Sequence, residues 1–77
     1  MKNPKQGPQY VVCLANDGYR ASLIVRRIYQ LLPDKEAEKR GLWRVIDESG
    51  EDYLYPKSLF ATVDLPSALT KKFATAR

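Results

Sequence analysis

Apolar residues along this chain come in short runs set off by glycine, proline and acidic turns. The first run, Tyr10-Val-Val-Cys-Leu-Ala15, is rich in β-formers and predicts a strand buried on much of both faces. Asn16-Asp-Gly18 ends it, since these residues tolerate left-handed backbone. Between Ser22 and Leu32 both periods fit, but the β-branched Ile24, Val25 and Ile28 favour two short strands about a bend at Arg26-Arg27. The segment Pro33 to Gly41 has early acids, late bases and a closing glycine, which predicts a short exposed helical turn. Strand-like runs follow at Leu42–Ile46 and Tyr53–Tyr55. They are separated by an acidic turn in which Gly50 supplies the left-handed position of a hairpin. Pro56 ends the return strand, and Phe60–Val63 is the last.

From Leu65 the period changes. Leu65, Leu69 and Phe73 stand four apart behind Asp64 and Pro66, which predicts a C-terminal amphipathic helix. The expected organisation is a flexible basic arm over residues 1–8, a mainly β domain over 9–64, and the helix and tail over 65–77. The expected core is Val11, Leu14, Leu23, Val25, Tyr29, Leu31, Trp43, Val45, Leu54, Phe60 and Val63, with Cys13 as a small core residue.

Seventy-seven residues make one domain whose small core must be nearly complete. A single cysteine and no histidine leave no disulfide within the chain, no structural zinc and no histidine-based acid–base or nucleophile pair. No nucleophile has a visible base and no glycine-rich phosphate loop follows a strand, so a non-enzyme without cofactor or metal is expected. No apolar run has the length to span a bilayer or the pattern of a secretory leader, which predicts a cytoplasmic, reduced setting.

The element order over residues 10–64 resembles the Src-homology-type, SH3-like five-stranded barrel. Leu23-Ile-Val25, Arg26-Arg27 and Ile28–Leu32 are similar to that family's strand, diverging turn and strand. Leu42-Trp-Arg-Val45 is similar to its tryptophan segment, and Tyr55-Pro-Lys-Ser-Leu-Phe60 to its proline-led turn into the last strand. The chain also resembles small uncharacterised bacterial proteins that carry a run like Arg44-Val-Ile-Asp-Glu-Ser-Gly-Glu-Asp-Tyr-Leu-Tyr-Pro56. The SH3 resemblance implies a barrel without its proline-peptide groove. The groove tryptophan falls on Leu42, the groove tyrosine on Leu59, and the acidic loop is reduced to about Asp17.

Two functions fit. One is a protein-interaction module or regulatory subunit, binding a protein partner through Leu42, Tyr53, Tyr55, Leu59 and the helix stripe Leu65, Leu69 and Phe73. The alternative is a weak nucleic-acid-binding barrel using Arg20, Arg26, Arg27, Arg44 and Lys57, with Tyr19, Tyr29 and Tyr53 as stacking rings. A net charge of +4 permits either. Asp47, Glu48, Glu51 and Asp52 are read as a solvated turn; the alternative is that Asp47 or Asp52 accepts backbone hydrogen bonds from the turn.

Overall fold

A computed structural model of the chain describes residues 9–66. Five antiparallel strands form one sheet: β1 (Gln9–Cys13), β2 (Ile28–Leu32), β3 (Leu42–Ile46), β4 (Asp52–Pro56) and β5 (Phe60–Val63), in the order β4-β3-β2-β1-β5. A short helix α1 (Lys35–Lys39) joins β2 to β3, and a single 3-10 turn (Lys57–Leu59) joins β4 to β5. The fold is therefore mainly β, as the alternation indicates.

The strands do not close into a hydrogen-bonded barrel, contrary to expectation. β4 and β5 are the two edges, because the 3-10 turn carries the chain from the β4 edge to the far side of β1. Both edge strands still contribute a ring to one core. The Tyr55 ring on β4 meets the Phe60 ring on β5 edge-on, with centroids 6.2 Å apart. Val11, Cys13, Leu23, Tyr29, Leu31 and Val45 fill the space between, and Trp43 and Leu59 pack against them from half-buried positions.

Local signals explain most element ends. Asp34 caps α1 by accepting the Ala37 N–H, and Gly41 takes a left-handed φ of 77° just past the helix. Gly50 is left-handed at the β3–β4 turn, as expected. Pro56 ends β4, as expected, and is itself the last residue of the strand. Asp47 with Glu51 and Gly41 with Lys57 are hydrogen-bonded pairs of the ladder. The alternation between them leaves Asp52, Leu54 and Pro56 with backbone groups facing away from β3. Proline is tolerated there because its missing N–H would have faced outward.

Several expectations fail for one geometric reason each. Ser22–Val25 is not a strand but part of a turn-rich loop from Leu14 to Arg27. Only Leu23 of that stretch is buried, while Leu14 and Val25 are exposed rather than in the core. Tyr55 pairs with Trp43 on the core face, so Tyr55 is buried and Leu54 points the other way, opposite Arg44. Val63, at the end of edge strand β5, is half-buried. Tyr10, Ala37 and Ile46 are buried without having been expected in the core. Leu65 and Pro66 lie in no helix, and the rest of the expected C-terminal helix and the 1–8 arm lie outside the described residues.

Candidate interaction surface

The 14–27 loop is held against the β3–β4 hairpin. Arg26 adopts a left-handed φ of 73°, and its N–H donates to the Cys13 carbonyl (2.7 Å) while the Cys13 N–H donates to Arg27 (2.9 Å). Two residues thus oppose one, which makes a β-bulge at the foot of the loop. The bend expected at Arg26-Arg27 is this bulge. Farther out, Leu23 inserts its side chain into the core and its carbonyl accepts from Asn16 Nδ2 (2.9 Å). The Glu48 N–H donates to the Ser22 carbonyl (3.0 Å), joining loop to hairpin.

Two tyrosines anchor the hairpin carboxylates. Tyr29 Oη donates to Glu48 Oε2 (2.5 Å) and accepts the Ile24 N–H (2.7 Å), while Arg27 Nη1 pairs with the same Glu48 carboxylate (3.1 Å). Burial first, and then the Glu48 hydrogen bond, push the Tyr29 phenol up. Tyr55 Oη donates to Asp47 Oδ2 (2.5 Å), and Ser49 donates both its N–H and its Oγ–H to Asp47 Oδ1 (2.9 and 2.6 Å). Burial, together with Asp47, pushes the Tyr55 phenol up to about 12. Burial raises the Asp47 carboxyl, but the hydrogen bonds from Ser49 and Tyr55 outweigh it and hold the group below its ordinary range. Asp47 is therefore a buried turn acceptor, one of the two outcomes expected for it. The Asp-x-Ser-Gly order of the turn is the local signal for this role.

Beside this hairpin lies an open cleft of about 370 Å³, lined by Tyr19, Ser22, Asp47, Ser49 and the β4 residues Tyr53, Leu54 and Tyr55. The Tyr19 ring stands edge-on to Tyr55 at 5.0 Å. Tyr19, Tyr53 and Leu54 are exposed at its rim, Tyr53 half so (50%). Of the expected contact residues, Tyr53 is exposed. Tyr55 forms the cleft wall but is buried, which corrects its reading as a free surface ring. Leu42 and Leu59 are half-buried, with Leu59 committed to the core; Leu65 is half-buried, and Leu69 and Phe73 lie outside the described residues.

The basic set is dispersed and largely engaged. Arg27 pairs with Glu48, Arg44 bridges Asp34 (2.9 Å) and Asp52 (3.0 Å), and the Lys57 ammonium sits 5.4 Å from the Trp43 ring centroid. Arg44 and Trp43 are strand neighbours on opposite faces, so Arg44 and Lys57 do not share one strip. Arg20 and Arg26 are exposed and have no ion-pair partner among the described residues. Tyr29, expected as a stacking ring, is buried. Among the described residues no cluster of side chains could hold a metal ion, and no helix is long and apolar enough to cross a membrane.

No family model, curated protein or solved structure matches this chain.

Proposed function

We propose that this chain is a non-catalytic protein-interaction module, or the regulatory subunit of a larger assembly, built on an SH3-like five-stranded sheet that stays open. The fold part of this reading is supported by the strand order, the long loop between β1 and β2, and the 3-10 turn into β5. The edge-on contact of Tyr55 with Phe60 agrees with it. The observation that carries the functional part is the open cleft along β4. Exposed Tyr19, Tyr53 and Leu54 rim a surface that the loop and hairpin hydrogen bonds hold in shape. Rigid aromatic rims of this kind supply contact area at low entropic cost.

The nucleic-acid alternative draws less support. All nine of the chain's acidic residues but only eight of its thirteen basic ones fall in residues 9–66, so that part carries a net charge of −1. The test is affinity capture from a host lysate with the full chain and with Tyr53→Ser/Leu54→Ser. A protein retained by the first and not by the second is the expected result. Equal retention by both, or retention only of salt-sensitive nucleic acid, overturns the reading.

A further inference from the structure

The β4 edge carries more than exposed rings. Asp52 and Leu54 turn their backbone N–H and C=O groups away from β3, and no hydrogen bond among the described residues reaches them. Such an edge is a template for another strand. Its sequence is self-complementary about Leu54. In an antiparallel pairing centred there, Leu54 faces its own copy, Asp52 faces Pro56, and Tyr53 faces Tyr55. Just beyond the strand ends, Glu51 of the turn and Lys57 of the 3-10 turn would then lie nearest each other, opposite in charge, once on each side of the two-fold axis.

Hydrogen-bond parity agrees with this register. The Leu54 pair would exchange two N–H···O=C bonds, and each Asp52 N–H would reach a Pro56 carbonyl. Pro56 has no N–H to offer, so the ladder ends there. Each partner's Tyr53, on the core face, would lie beside Tyr55 at the cleft that Tyr19 bounds.

From the outward backbone groups, the charge register and the cleft, we infer that two copies of this chain associate through their β4 edges into a symmetric dimer with one continuous sheet. This names a partner for the surface proposed above and rests on that reading.

The interface is one short strand, below the roughly 800 Å² per partner of a stable complex, so the association is weak and visible only at high concentration. Sedimentation of the full chain up to about millimolar concentration reads it. Glu51→Lys alone and Lys57→Glu alone each set like charges near one another at two places. Each should weaken association by about tenfold or more, and the double swap should restore it. Leu54→Pro removes only an outward N–H, which the β3–β4 ladder does not use, and should abolish association while β3 and β4 remain paired.

Monomer at every concentration, or a dimer indifferent to these changes, overturns the inference. So does failure of the double swap to restore association. A chain that stays monomeric yet still captures a protein through Tyr53 and Leu54 defeats the dimer alone. A chain that captures none and does not self-associate defeats both readings.

Discussion

Asp47 shows how one buried carboxylate sets a turn. It accepts from Ser49 twice and from Tyr55 once, and so fixes the hairpin against a core tyrosine. Asp47→Asn keeps the shape but gives up the charge, and should cost about 1.5–3 kcal/mol in denaturant unfolding, the range for hydrogen bonds to charged groups. Because the folded state holds this carboxyl below its ordinary value, the unfolded chain binds more protons near pH 4, and stability rises with pH there. The contribution is whole above about pH 4 and is lost as pH falls through the folded value; Asp47→Asn should flatten this part of the acid limb. Tyr55 has the opposite sign. Its phenol is raised to about 12, so its contribution is whole below about pH 10 and is lost as pH rises through 12. Tyr55→Phe should remove that alkaline loss, while destabilising the chain at neutral pH by leaving Asp47 Oδ2 short of its donor.

The 14–27 loop is the element on which sequence and structure diverge most. Leu23, Ile24 and Val25 have strand propensity, yet only Leu23 is buried, because the bulge at Arg26 turns the chain before a ladder can form. Propensity describes a residue's fit to a pleated surface, and here no neighbouring strand supplies one. Leu23→Ala should therefore behave as a core truncation, costing about 2–5 kcal/mol in chemical denaturation, whereas Ile24→Ala should cost under about 1 kcal/mol. A small loss at Leu23 would mean that the loop is not anchored by it. Arg26 makes the complementary case. Its left-handed φ disfavours any residue with a Cβ, so Arg26→Gly should raise the melting temperature or leave it unchanged. The turn glycines, the short helix after Pro33 and the five strands were legible because local chemistry dictates each; the Asp34 cap was not singled out. Which face of β4 is inward was not. Leucine between two tyrosines is the more apolar choice for a core, but pairing with Trp43 decides for Tyr55.

At the scale of the whole molecule, charge is divided rather than mixed. Residues 9–66 carry a net −1, and Lys2, Lys5, Lys71, Lys72 and Arg77 supply the excess that makes the chain +4. The overall charge of +4 hides this division. The division changes what the basic residues of the sheet can do. Arg27 and Arg44 are already paired with Glu48, Asp34 and Asp52, and a phosphate would have to displace those carboxylates. Any oligonucleotide binding at low salt should therefore survive Arg27→Gln and Arg44→Gln nearly unchanged. It should fall when Lys2, Lys5, Lys71 and Lys72 are replaced by glutamine. Fluorescence anisotropy against salt separates the two, since every phosphate that a basic side chain neutralises steepens the log–log slope by about 0.7 for a single strand and about 0.9 for a duplex. If the slope drops with the sheet arginines instead, the ion pairs of the sheet open on binding, and the paired arginines return as the contact surface.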